Sequence, residues 1–208
     1  MGKQFIISVS REYGSQGHRI GENLARRLGV EMIDRAMLDQ MMRDKGFSDQ
    51  EIGIYSEKTK KPFFSRTVRG YTNSIEENVA HLQFDYIQEQ ADTGKSFVVI
   101  GRCSEAVLAR YPGLISIFVT GDEVAKLEHI MKTYDLDMRD AMNKIKRHDA
   151  KRKTYHNSYA PFKWGDSRHY DLLINSSKLG LEKTIDLLED YCRERIKIIQ
   201  EMPEEYDR

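Results

Sequence analysis

Residues 6–21 read Ile6-Ile7-Ser8-Val9-Ser10-Arg11-Glu12-Tyr13-Gly14-Ser15-Gln16-Gly17-His18-Arg19-Ile20-Gly21: an apolar run, a glycine-bearing turn, and the opening of a helix. The run from Phe5 to Val9 is short and rich in Ile and Val, the pattern of a strand covered on both faces. Beyond the turn, Ile20, Leu24, Ala25 and Leu28 recur at helical spacing and line one face. A strand passing through a glycine turn into a helix is a context that binds phosphate. Glycines let the backbone turn with its N–H groups inward, and the helix N-terminus adds partial positive charge. A tight strand-to-helix corner would use the glycines equally well, but Arg11, His18 and Arg19 crowd the same turn. Arg11, Gly14, Ser15, Gln16, Gly17 and His18 are therefore the expected cradle for nucleotide phosphates.

The strict phosphate-loop pattern G-x-x-x-x-G-K-[ST] is absent. With Gly17 as the second glycine, His18 takes the lysine position and Arg19 the Ser/Thr position. Aligned instead on the apolar face of the helix, Gly17 takes the lysine position. Neither register supplies a lysine, or a hydroxyl where magnesium expects one. Arg19, nearest the vacant position, is the first candidate to replace the charge, and Arg11 the second. Ser15 offers a hydroxyl for the metal.

Outward from this stretch, Phe97–Ile100, Leu114–Val119 and Leu172–Ile174 read as further buried strands, with Glu31–Ile33 a short fifth. Helical stripes lie between them, at Ile75, Val79, Leu82, Tyr86 and Ile87, and at Leu181, Ile185, Leu188 and Tyr191. Strands alternating with helices predict a three-layer α/β/α fold on a parallel, doubly wound sheet of about five strands. Residues 35–72 and 137–170 break the alternation and are expected as two small inserted lobes of a single domain spanning 1–208. The first holds the basic turn Lys58-Thr59-Lys60-Lys61, the second a charged helix followed by Pro161, Phe162 and Trp164.

Composition narrows the classes. Lys plus Arg and Asp plus Glu are 33 each, so the net charge is zero, which argues against bulk electrostatic binding to nucleic acid or an anionic membrane. Cys103 and Cys192 lie far apart, with no metal-ligand spacing and no disulfide framework. No apolar run is long enough to span a membrane or serve as a signal segment, and a cytoplasmic location is expected.

These residues together resemble the cytidylate kinase-like family. Ile6 to Gly17 is similar to its opening S-R-[EQ]-[YF]-G-S-G-G, where the phosphate-loop lysine is commonly missing. Leu28-Gly29-Val30-Glu31-Met32-Ile33-Asp34-Arg35 resembles its next strand, ending in an aspartate and a basic residue. Val98-Val99-Ile100-Gly101-Arg102-Cys103 resembles its G-R-C turn, Asp149-Ala150-Lys151-Arg152 its lid D-x-x-R, and Tyr170 to Gly180 its last strand and turn. The resemblance runs from about Lys3 to about Tyr191, with every motif in order. It implies a P-loop kinase fold and phosphoryl transfer from ATP, with Mg2+, to CMP, dCMP or a related small nucleotide. A nucleotide-binding regulatory module that keeps the fold without turnover is the alternative from another class.

Within that resemblance, Arg19, Arg102 and Arg152 are the expected catalytic cations, since a guanidinium fork suits phosphate oxygens. Asp34, Arg35, Arg102, Arg147 and Asp149 are the expected acceptor-binding residues. Asp34 would serve equally as a helix N-cap, and Asp149 as a salt-bridge partner of Arg152 or Arg147. His148 and His156 have no evident partner and read as surface histidines. Trp164 reads as lobe packing.

Overall fold

The computed structural model describes residues 2–55, 67–68, 71–72 and 75–203; the basic turn at 58–61 lies outside them. Strands β1 (Ile6–Arg11), β2 (Glu31–Ile33), β5 (Phe97–Ile100), β6 (Leu114–Thr120) and β7 (Leu172–Asn175) form a five-stranded sheet in the order β2-β5-β1-β6-β7. Every pairing in it is parallel. A separate antiparallel pair joins β3 (Thr67–Val68) to β4 (Tyr71–Thr72).

Side-chain alternation along the strands builds the layers. Ile7, Val9, Val98, Ile100, Ile115 and Ile117 point to one face. They meet Ile20, Leu24 and Ala25 of α1 (Gly17–Leu28) and Ile185, Leu188 and Cys192 of α8 (Leu181–Glu201). Ile6, Ile33, Phe97 and Val99 point to the other. They meet Leu38, Met41 and Met42 of α2 (Arg35–Asp44) and Val79, Ile87 and Ala91 of α4 (Ile75–Asp92). Helices therefore cover both faces, as the continuous apolar strand runs require. The remaining helices are α3 (Asp49–Tyr55), α5 (Ser104–Val107), α6 (Glu123–Tyr134) and the long α7 (Met138–Tyr159). No helix among the described residues is long and apolar enough to cross a membrane.

Register fixes the working edge. Val9 pairs with Ile100 and Arg11 with Val119, so β1 ends between the ends of β5 and β6. Three chain turns therefore leave the sheet side by side, at the carboxyl edge where open α/β sheets bind ligands. The helix that leaves β1 is pressed close, because a Cβ on Gly21 would overlap Ile100 Cδ1 and touch Val9. Gly21→Ala gains helix propensity worth about 1 kcal/mol but forces an overpacked core costing roughly 1–3 kcal/mol. A net loss of stability is expected in urea denaturation, with the midpoint shifted down.

Candidate functional site

The glycine loop is anchored at both ends. The Glu12 amide donates to Val119 O at 2.9 Å. The Glu12 carboxylate accepts from Lys126 Nζ at 2.8 Å and from Thr120 Oγ1 at 2.7 Å. Burial would raise the Glu12 pKa, but the bonds from Lys126 and Thr120 outweigh it and hold the group below its ordinary value. Gly14 at φ 87° and Gln16 at φ 61° take left-handed backbone, folding the loop back on itself. At Gly14 a side chain would also press on Lys126. The Ser15 hydroxyl donates to Glu12 O at 2.9 Å, which fixes its orientation inside the loop and leaves its oxygen lone pairs unused by that bond. The outcome is a row of amides, Gly14 through Arg19, with no acceptor among the described residues, at a helix start without a side-chain cap. Such a row is an anion cradle.

Helix α7 lies on this loop. Asp149 Oδ1 accepts the Tyr13 amide at 2.7 Å, and Arg152 Nη1 donates to Arg11 O at 3.0 Å. The Tyr13 ring stacks on His148 with centroids 4.2 Å apart, and the Arg152 guanidinium sits 5.4 Å from the Tyr13 centroid. Burial raises the Asp149 pKa, partly countered by the Tyr13 amide and the Arg152 charge. Arg152 and Asp149 themselves approach to 4.0 Å.

After β5 the backbone enters left-handed space at Gly101, Arg102 and Cys103, with φ of 74°, 59° and 52°. For Arg102 and Cys103 this is strained geometry of the kind found at functional turns. The turn swings α5 under the sheet edge and buries Glu105, whose side chain is 1% exposed. Glu105 accepts from His156 at 2.7 Å, Tyr170 at 3.0 Å and Ser10 at 3.1 Å. Burial opposes its charge, but His156 above all, with Tyr170, keeps its pKa below the ordinary value. His156 is thus a buried hydrogen-bond partner of Glu105, and His148 a stacking partner of Tyr13, where the sequence suggested surface histidines. Neither partner is near in sequence, so periodicity alone gave no sign of them.

These elements enclose a cavity of about 380 Å³ lined by Arg11, Arg35, Arg102, Lys144, Lys151 and Arg152, with Tyr13, Tyr134, Tyr155 and Trp164 among its walls. No carboxylate is among the described lining residues. Several cations rest on aromatic faces: Arg102 is 5.4 Å from the Tyr155 centroid and Lys144 Nζ is 4.1 Å from that of Tyr134. Trp164 packs edge-on against Phe118 and also faces the cavity.

Of the residues singled out in sequence, Arg11, Arg35, Arg102 and Arg152 converge on the cavity. Gly14, Ser15, Gln16, Gly17 and His18 form the adjoining loop. Asp34 caps α2 by accepting the Met37 amide at 3.1 Å, and its other oxygen meets His18 Nε2 at 3.1 Å. Arg19 is exposed, outside the lining, and donates to Gln16 Oε1 at 3.2 Å; its charge is felt by His129 of α6. Arg147 is exposed and also outside the lining. Lys144, Lys151 and Tyr155 were missed, although their spacing with His148 and Arg152 marks one face of α7. Among the described residues no group of His, Cys, Asp and Glu could by itself hold a metal ion.

The model of the cytidylate kinase-like family matches residues 6–178, from β1 through the turn after β7. The chain belongs to that family. It is similar to the crystal structure of an uncharacterized protein from Eubacterium ventriosum ATCC 27560. The two are 30% identical with a TM-score of 0.73, over 91% of this chain and 99% of that one. It is also similar to shikimate kinase from Bacteroides thetaiotaomicron, at 14% identity and TM-score 0.53, over 91% of this chain and 98% of that one. A gluconokinase from Sinorhizobium meliloti 1021 matches at 14% and 0.52, over 97% and 96%. At such identity the two kinases show the fold alone, which is the P-loop kinase fold. No curated protein matches the chain.

The Glu105 network gives a direct test of how this edge is held. Glu105→Ala leaves several buried donors without their acceptor and is expected to cost about 3–5 kcal/mol, against about 1 kcal/mol for Tyr170→Phe. Because the folded carboxyl lies below its ordinary value, its stabilisation is complete above the ordinary glutamate range and is lost as pH falls through the depressed value. Stability measured against pH should therefore have a shallower acid limb in Glu105→Gln than in wild type.

Proposed function

We propose that the chain is an ATP-dependent phosphotransferase of the nucleoside monophosphate kinase type, with CMP or dCMP as acceptor. The observation that supports it is a cation-lined cavity, free of carboxylates among its described walls, adjoining the row of unpaired loop amides. Phosphoryl transfer asks the protein chiefly to position two anionic substrates and to neutralise charge spread over the transferring group. In this reading the amides of Gly14 to Arg19 hold the donor phosphates. Arg152, on α7, and Arg102, on the strained turn, flank the transferring group. Arg35 and Arg102 hold the acceptor phosphate, and the aromatic walls at Tyr155 and Trp164 take its apolar face. The donor nucleotide with its magnesium ion supplies the phosphoryl group. The Ser15 hydroxyl, held by its bond to Glu12 O, could offer an oxygen to that metal, whose other ligands would come mainly from the phosphates and water.

Residues 35–72 then act as the acceptor lobe and residues 137–170 as the lid. Holding cations on aromatic rings keeps them in place without cancelling their charge, which suits a site awaiting phosphate. The rival reading, a nucleotide-binding regulatory module, draws on two features. No lysine or hydroxyl occupies the usual loop positions, and Asp149 already takes the Tyr13 amide.

A thermal-shift panel of nucleoside mono- and triphosphates with magnesium, followed by an ADP-release assay, separates the two. Turnover with CMP or dCMP is expected. Arg102→Ala and Arg152→Ala should each lower it on the order of 10²–10³-fold with the fold retained, the loss typical of one preorganised charge-stabilising donor. Binding without ADP release would establish the regulatory module instead.

A further inference from the structure

The sequence admits two registers for the loop, placing either His18 or Gly17 at the lysine position, and the side chains around Gly17 distinguish them. Gly17 is the first residue of α1. A Cβ built on it would lie 2.5 Å from Arg11 Cβ and 2.9 Å from Arg11 Cγ. The path by which a lysine would leave position 17 is thus filled by the stem of Arg11. From there Arg11 runs to Gly101, where any Cβ would overlap Arg11 Nη1. One arginine threads between two glycines that leave it room, one opening α1 and the other just past the end of β5.

Its guanidinium faces the cavity. Nε is buried with no hydrogen-bond partner, and the side chain forms no ion pair among the described residues. Burial, then the charges of Arg152 and Arg102, push its proton affinity down; Glu105 and Asp34 oppose this from a distance. A half-buried cation facing like charges is held uphill, and an anion in the cavity relieves it. The competing candidates are differently placed. Arg19 turns toward Gln16 and α6, and His18 Nε2 is engaged by Asp34.

We propose that Arg11 carries the phosphate-binding charge that a phosphate loop otherwise carries on its lysine, and that position 17 is glycine because Arg11 passes there. The cation has moved from the first turn of the helix to the end of the strand, and its target is the β,γ-phosphate region of a nucleoside triphosphate. The inference rests on the donor-nucleotide reading above.

The test is a charge transposition in the full chain, read by calorimetric titration with ATP and magnesium and by melting temperature. Arg11→Gly should weaken ATP binding roughly 10- to 100-fold, the span of a lost hydrogen bond from a charged group. The double variant Arg11→Gly with Gly17→Lys should recover most of that loss. Arg11→Gly with Gly17→Met, similar in stem but uncharged, should restore packing and melting temperature without restoring binding. Gly17→Lys alone should melt lower, because two stems then compete for one path. Should Arg11→Gly fail to fold, Arg11→Gln keeps most of the stem and carries the same expectation for ATP. The assignment is overturned if ATP binds equally well to wild type and Arg11→Gln, or if the lysine double variant binds no better than the methionine one. A wild-type chain that binds no nucleoside triphosphate would overturn the donor-nucleotide reading itself, which the variant comparisons do not.

Discussion

A single buried carboxylate organises the working edge of the sheet. Glu105 sits beneath the carboxyl ends of the strands and draws donors from β1 through Ser10, from α7 through His156, and from the approach to β7 through Tyr170. An isolated carboxylate buried to this degree would be costly, and its stability depends on each of those donors staying in place. The segments that frame the cavity are therefore not free to drift independently. The strained turn at Gly101 to Cys103 belongs to the same arrangement, since it delivers α5, and with it Glu105, under the sheet. A non-glycine residue persists in left-handed space only where surrounding contacts over-determine it. Here those contacts include the Arg102 guanidinium lying against the Tyr155 ring.

The electrostatics divide sharply across this floor. Below it, Glu105 is held by hydrogen bonds from His156 and Tyr170, and nearby Glu12 pairs with Lys126. Above it, cations crowd together and rest on aromatic rings. Coulomb repulsion between neighbouring guanidinium groups is substantial at low effective dielectric. Tyr13, Tyr134 and Tyr155 offset part of that cost with attraction to ring faces, without supplying a counter-ion. The described cavity wall is therefore rich in positive charge, even though Arg35 meets Asp39 and Arg152 approaches Asp149, and this is the electrostatic support for the proposed oligophosphate ligand.

The sheet was legible because buried parallel strands leave continuous apolar runs. Phe97–Ile100 and Glu31–Ile33 were located to the residue, and β1, β6 and β7 to within two residues at an end. Helix α6 was not foreseen, since its buried residues, Lys126 and Ile130, leave almost no apolar stripe. At the site, the glycine turn and Arg102 were readable from position alone, each following an apolar strand. The direction of a side chain was not. Arg11, Arg19 and His18 share one turn, and only packing tells which of them enters the cavity. His156 was misread for the same reason: its partner lies in another element, and nothing in the local pattern of α7 announces a buried carboxylate opposite.

Helix α7 joins the two halves of the site, and the strength of that junction follows from its contacts. It holds the loop through the Tyr13 amide on Asp149, the Arg11 carbonyl on Arg152, and the stack of Tyr13 on His148. Each such contact contributes about 1 kcal/mol at a partly exposed surface, so together they hold the loop to the helix by a few kcal/mol, while the helix itself is also anchored by His156 on Glu105 and by the buried Tyr155. That is the range in which a minor open state is populated and a ligand can shift the balance. The Tyr13 amide is where the competition centres. It lies at the start of the loop, just before the amides that have no acceptor among the described residues, and Asp149 supplies it with a carboxylate oxygen. Burial already raises the Asp149 pKa, so its charged form is less comfortable there than in water. A phosphate on the loop would bring negative charge toward that carboxylate and positive demand toward Arg152, three residues along the same helix. Under the proposed phosphate reading, arrival of the anion would be coupled, through one turn of α7, to the contacts that Asp149 and Arg152 make with the loop.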